Sequence, residues 1–255
     1  MRERLSLVHT IEFFHLGFLQ VLQARVDQHY YVLKGGANLR YFFNSPRYSE
    51  DIDFDGSGKI SRWKLEGKVD EVLTSRPLTL ILQTRGVTIG RVAKPKQTET
   101  TQRWKITLRV ENLTEPIPTK IEFSRRGMDE RNQLDQVPPR VVQQHALRAP
   151  TVRRYLADAM AEQKISALVK RTDTQVRDIF DLDLLFRQFP NAVRPRVVAP
   201  ERLQTAIDRV LEVTYEAYQS LVVRFLDPDV VELYERPDIW DQTQRHVIDR
   251  LNSLR

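Results

Sequence analysis

Between residues 5 and 26 the apolar side chains Leu5, Val8, Ile11, Phe14, Phe18, Leu19 and Leu22 recur mostly every three or four positions, which predicts an amphipathic helix lying on one face of a sheet. The pattern then changes. Tyr30-Tyr31-Val32-Leu33 is short and β-prone, Gly35-Gly36 interrupts it, and residues 37–43 read as a helix that starts at the glycines, giving a strand, turn, helix unit. After Asn44-Ser45-Pro46, the run Glu50-Asp51-Ile52-Asp53-Phe54-Asp55 alternates acidic and apolar side chains, the pattern of a strand with one buried face, and Gly56 and Gly58 end it. A helix is expected over 62–73, followed by β-prone runs at 78–83, 87–92, 104–110 and 118–123.

Beyond Pro138 the texture is helical, with 3.6-residue periodicity over 152–171, 175–189, 201–221 and 239–254, and a Pro-containing loop at 191–200. The fold class expected is α+β, with a mixed sheet that turns antiparallel late in the first half and a helical C-terminal domain. Prolines at 138, 139 and 150 suggest a joint there, so the domains are expected at 1–140 and 141–255. No repeat or low-complexity tract is visible.

With 41% hydrophobic residues the chain can build a core. No apolar run reaches the roughly 18 residues that span a bilayer, and MRERLSLVHT lacks the apolar stretch of a signal peptide, so a cytoplasmic protein without a membrane partner is expected. There is no cysteine, which rules out thiolate metal sites and leaves carboxylate or imidazole donors, a set that favours a hard ion such as Mg2+. The five histidines show no ligand spacing. A net charge of +6 suits a polyanionic partner but serves solubility equally well.

Asp51 and Asp53 leave the same face of their strand, because side chains alternate along it. At about 5 Å and an effective dielectric near 20 their charges repel by roughly 3 kcal/mol, a cost that a divalent cation removes. The pair alone says little, since roughly four or five acidic i,i+2 pairs arise by chance from 34 acids in 255 residues. Gly-Gly followed at this spacing by such a pair is expected only about 0.05 times, so the combination is informative. Gly35 and Gly36 let backbone approach a triphosphate, and the helix behind them directs free N–H groups at the same anion. The alternative is a tight turn beside a solvated acidic strand. Glu122, in Thr119-Lys120-Ile121-Glu122-Phe123, offers a third carboxylate by the same alternation, though a surface acid reads nearly as well.

Lys34-Gly35-Gly36-Ala37-Asn38-Leu39-Arg40 and Arg47-Tyr48-Ser49-Glu50-Asp51-Ile52-Asp53-Phe54 resemble the first motif of the AbiEii/AbiGii toxin nucleotidyltransferases, of the DNA polymerase β-like superfamily. Lys164-Ile165-Ser166-Ala167-Leu168-Val169-Lys170-Arg171 and Arg177-Asp178-Ile179-Phe180-Asp181-Leu182 resemble the family's later motif, over a hundred residues on. The likeness covers about 32–185, and Asn38 departs from the small hydroxyl or apolar residue of many relatives.

The resemblance implies a polymerase β-like nucleotidyltransferase domain followed by helices, with Mg2+ or Mn2+ on Asp51, Asp53 and Glu122 and an NTP as co-substrate. It implies catalytic roles for Asp51, Asp53, Lys164 and Asp178, and nucleotide contacts from Lys34, Gly35, Gly36, Arg47, Ser49, Arg171, Arg177 and Asp181. Lys164 and Arg171 share a helix face, where they suit phosphate oxygens; Asp178 and Asp181 orient those cations, receive the substrate base, or belong to a structural salt-bridge network. Ser49 reads as a nucleotide contact, a point where modification would silence the site, or a turn serine. Trp63, Trp104 and Trp240 read as packing residues. The implied acceptor is RNA, the tRNA 3′ end in particular, with growth arrest through blocked aminoacylation and a cognate antitoxin. Nucleotidylation of a protein or small molecule, and a silent binding module, are the competing readings.

Overall fold

The computed structural model describes residues 7–111 and 113–255, so Leu5 of the expected first helix lies outside them. The chain divides into two units, Met1–Phe42 with Tyr48–Tyr155, and Phe43–Arg47 with Leu156–Arg255.

The first unit is built on α1 (Leu7–Leu22), β1 (Tyr31–Lys34), α2 (Gly35–Phe42), β2 (Asp51–Gly56), α3 (Arg62–Leu73), α4 (Arg76–Gln83), β3 (Val87–Gln97), β4 (Thr101–Val110), β5 (Ile117–Ser124), β6 (Asn132–Gln136), α5 (Pro139–Val142) and β7 (Thr151–Tyr155). Its strands form one seven-stranded mixed sheet in the order β3-β4-β5-β2-β1-β7-β6. β2 runs parallel to β5 and β1 parallel to β7; the other neighbours are antiparallel. The period-2 pattern decides which face is buried. Ile52, Phe54, Trp104, Ile106, Ile121 and Phe123 share an apolar core with side chains of α1, α3 and α4, and the Phe54 and Phe123 rings stack 4.7 Å apart. The alternate residues of β2, β5 and β4 form the opposite, polar face.

Two expected elements of this unit differ. Residues 78–83 lie in a helix, because Ser75 caps it by accepting from the Leu78 amide, Pro77 sits in its first turn, and Leu78 and Leu82 bury themselves one turn apart. The expected helix over 152–171 begins only at Ala157; residues 151–155 are β7, drawn into extended form by pairing with β1 and β6. The first unit therefore continues through Tyr155.

The second unit is helical: α6 (Ala157–Lys170), α7 (Val176–Gln188), α8 (Pro200–Leu211), α9 (Tyr215–Leu221), α10 (Val231–Tyr234) and α11 (Pro237–Asn252). α7 packs against α6, α9 and α11, and Tyr218 stacks on Trp240 at 4.6 Å. The periodicity over 201–221 is broken at Thr214, which caps α9 by accepting from the Ala217 amide. Phe43–Arg47 joins this unit through backbone bonds, Asp227 N to Pro46 O at 2.8 Å and a bridge between Arg47 and Leu226, and through Gln188 Nε2 donating to Phe43 O.

Candidate active site

In the first unit the register of β2 and β5 sets Asp51 beside Lys120 and Asp53 beside Glu122, all on the polar face. Their backs, Ile52, Phe54, Ile121 and Phe123, are fully buried, so the strands cannot rotate without exposing the core. The Asp51, Asp53 and Glu122 side chains are 25%, 29% and 22% exposed and converge on one cation: Lys120 Nζ lies 3.1 Å from Asp51, 4.0 Å from Asp53 and 3.6 Å from Glu122. Arg103 on β4 donates to Glu122 at 2.6 Å. The three expected metal ligands thus come together, with a lysine and an arginine beside them. Alternation from Glu122 already puts Lys120 on this face, a signal that sequence reading left unused, as it did Asp55 and Tyr155.

Charges here are unevenly satisfied. Burial pushes the Asp53 carboxyl above its ordinary range, with help from the Asp51 and Glu122 charges and against the pull of Lys120 and Lys34. Burial acts upward on Glu122 too, but the Arg103 hydrogen bond and the Lys120 charge outweigh it and hold Glu122 below its usual value. Burial acts downward on Lys120, and the three carboxylates more than reverse it, so its ammonium is held more firmly than in water.

The glycine turn abuts this cluster. Gly35 has φ +68°, a left-handed conformation, and a Cβ built on it would stand 3.1 Å from Asp53 Oδ2. Gly36 is the second residue of α2. Lys34, opposite Asp53 in the β1–β2 register, is tied by its ammonium to Asp55 at 2.5 Å, and the Tyr155 hydroxyl donates to the other Asp55 oxygen at 2.8 Å. Asn38 is buried and donates to the Tyr155 carbonyl, its own side-chain oxygen having no partner among the described residues. Ser49 precedes β2 and its hydroxyl donates to the Asp51 carbonyl at 2.8 Å, which is the local bond of a turn serine.

These residues fit a hard divalent cation by donor type: three carboxylates from adjacent strands framing a cationic position. Among the described residues, no group of three or more His, Asp or Glu side chains is disposed around a common metal position; in this cluster the lysine ammonium holds it.

In the second unit Lys164, Arg47, Arg171, Asp178 and Asp181 form one network. Asp181 is fully buried; Arg47 Nη2 reaches both its oxygens at 3.1 Å and Lys164 Nζ donates to one at 2.6 Å. Lys164 also donates to Asp178 at 2.7 Å, and the other Asp178 oxygen accepts from Arg171. Burial raises Asp181, but the Arg47 and Lys164 charges prevail and keep it below the ordinary range. Arg47, expected as a nucleotide contact, is buried in this network and only 3% exposed. Arg171 is the open member, its side chain 42% exposed, and Arg177 is half-buried beside Asp178 at the start of α7. Trp104 and Trp240 are core residues, whereas Trp63 is exposed under the Arg62 guanidinium. Among the described residues no helix is long and apolar enough to cross a membrane.

The family profile "Nucleotidyl transferase AbiEii toxin, Type IV TA system" matches residues 18–250. No curated protein matches. Among solved structures, JHP933 from Helicobacter pylori superposes with a TM-score of 0.58 at 19% identity over 98% of this chain and 96% of that one. A candidate nucleotidyltransferase from H. pylori gives 0.59 at 18% identity over 95% of each chain. At such identities the likeness is one of fold.

Proposed function

Because the chain belongs to the AbiEii family of nucleotidyl transferase toxins of type IV toxin–antitoxin systems, we propose that it transfers a nucleoside monophosphate from an NTP to RNA, at the 3′ end of tRNA, and so stops translation and growth. Nucleotidyl transfer is the family's activity, and its toxin role implies an antitoxin counterpart. The acceptor, the metal and the residue roles are our reading. The observation that carries it is the convergence of Asp51, Asp53 and Glu122 on one cationic point, with Gly35 so close to Asp53 that a Cβ there would stand 3.1 Å from its carboxylate oxygen.

In the reaction, an acceptor hydroxyl oxygen bonds to the α-phosphorus, the bond from that phosphorus to the oxygen bridging to the β-phosphate breaks, and pyrophosphate leaves. The hydroxyl proton passes to a carboxylate oxygen of the cluster. Asp51, Asp53 and Glu122 would hold Mg2+ or Mn2+, which supplies electrostatic stabilisation of the attacking and leaving oxygens. Gly35 and Gly36 leave room for phosphate oxygens against the opening amides of α2, and Lys34, held by Asp55, adds a fixed positive charge at the same turn. Ser49 acts through the backbone bond that sets the entry of β2. In the helical unit, Asp178 and Asp181 orient cations: Lys164 and Arg47 are locked, and Arg171 and Arg177 are the guanidinium groups assigned to nucleotide phosphate.

The test is incubation of the protein with each radiolabelled NTP, Mg2+ or Mn2+, and total tRNA or cell extract. Label on the tRNA 3′ end supports the reading. Label on protein or a small molecule alone, or no transfer with any NTP, overturns it.

A further inference from the structure

The polar face that carries the carboxylates does not end at Glu122. It continues across β4 to the edge strand β3, and its charge changes sign. Alternation along β4 puts Arg103, Lys105 and Arg109 on the face of Glu122, since Arg103 is registered with Glu122 and Lys105 with Lys120. Across the next ladder, Lys96 is registered with Arg103, Ala93 with Lys105 and Thr88 with Arg109. Strands are spaced about 4.8 Å apart, so this strip begins roughly 10 Å from β2 and reaches roughly 14 Å.

Two features separate it from an ordinary solvated surface. First, apart from Arg103, which is bound to Glu122, its cations are unpartnered: Lys96, Lys105 and Arg109 are exposed and make no side-chain hydrogen bond or ion pair among the described residues. Lys94, on the same hairpin, differs in just this respect, its ammonium bonding Glu66 and Asp70 of α3. Second, like charges stand directly opposite one another twice, Lys96 with Arg103 and Lys105 with Lys120. Cross-strand pairs of one sign weaken a sheet. A counter-charge from outside the chain would relieve both.

β3 is also unsuited to recruiting another strand. Its register shifts between Ile89 and Val92 and between Ala93 and Lys96, and Pro95 removes an amide donor. Bulges, lysines and proline on an edge are the features that prevent strand addition. The occupant is thus read by charge rather than by backbone pairing.

We propose that Lys96, Lys105 and Arg109 form a phosphate-tracking strip that holds the sugar–phosphate backbone of the RNA acceptor, leading from the hairpin edge toward the carboxylates. This rests on the RNA reading given above and adds where the acceptor binds. The strip contacts phosphates, so it supplies affinity and salt dependence without base preference.

The experiment uses the full chain with fluorescent deacylated tRNA, with no NTP, over a salt series, together with the labelling assay. The triple variant Lys96→Gln/Lys105→Gln/Arg109→Gln is expected to weaken tRNA binding about 10- to 100-fold at low salt and to reduce the slope of log affinity against log salt by about 2, at roughly 0.7 to 0.9 per lost phosphate contact. NTP affinity measured alone stays unchanged. Lys94→Gln, one charge removed from the other side of the hairpin, leaves tRNA binding within about twofold. Thermal unfolding of each variant separates misfolding from lost contacts, and single Lys105→Gln is expected to lower the slope by about one contact should the triple variant not fold. Unchanged tRNA affinity and slope in the triple variant overturn the proposal. Because binding is read without NTP, wild-type protein that binds tRNA through this strip yet labels none would sink the RNA-transfer reading while sparing the strip.

Discussion

Two charged clusters invite comparison. On the sheet, three carboxylates share Lys120 and one arginine, each partly open to solvent, and Asp53 is held against its own ionisation. In the helical unit, two buried carboxylates are bound by Lys164, Arg47 and Arg171, and Asp181 is ionised more readily than in water. The first is poised, with unmet demand for positive charge; the second is saturated. Sites that act on ligands are arranged in the first way, and networks that hold elements together in the second.

The largest effect expected to test this contrast is on the saturated side. Lys164→Ala leaves two buried carboxylates short of a cation, and denaturant unfolding should show a loss of about 3–5 kcal/mol. A loss under about 1 kcal/mol would mean that the network is not structural. Next, if Asp51 holds the catalytic metal as proposed, Asp51→Ala should cost at least about 10²-fold in nucleotidyl transfer with little change in unfolding midpoint. Gly35→Ala comes third: the left-handed backbone alone costs about 1–2 kcal/mol, and the new methyl meets Asp53, so transfer and stability should fall together.

Smaller effects sharpen the comparison through pH. Asp53 binds its proton more tightly folded than unfolded, so stability falls as pH rises from the ordinary 3.8 through its raised value. Asp53→Asn should therefore raise the melting temperature at neutral pH while abolishing transfer. Asp181 has the opposite sign: its contribution is present above 3.8 and is lost as pH falls through its depressed value. Arg47→Ala should move acid unfolding to higher pH; an unchanged acid midpoint would remove Arg47 from the network.

Much of this was legible from local pattern. The alternation of Asp51 to Phe54 and of Lys120 to Phe123 carried both strands and the face of each acid, whereas the 3.6-residue spacing placed Lys164 on α6 but not Arg171, which is the extended residue that follows the helix. What failed was of two kinds. Residues 78–83 carry β-prone side chains, but the Ser75 cap and Pro77 start a helix, a local signal overlooked. Residues 151–155 and the polar β6 have no sufficient local signal at all, since they are strands only by pairing with each other and with β1.

The sequence by itself determined which side chains share a face, because the periods 2 and 3.6 are properties of the backbone. It also determined the donor chemistry, all oxygen and nitrogen, and where a left-handed turn was affordable. Only the tertiary structure decided which faces meet: that Lys120 is the counterion of the carboxylates, that Asp55 and Tyr155 hold Lys34, that Arg47 is buried on Asp181, and that Arg103 and Lys94 find carboxylates while Lys96, Lys105 and Arg109 find none among the described residues. Register between strands distant in the chain is set by burial of the whole core, which no local pattern contains.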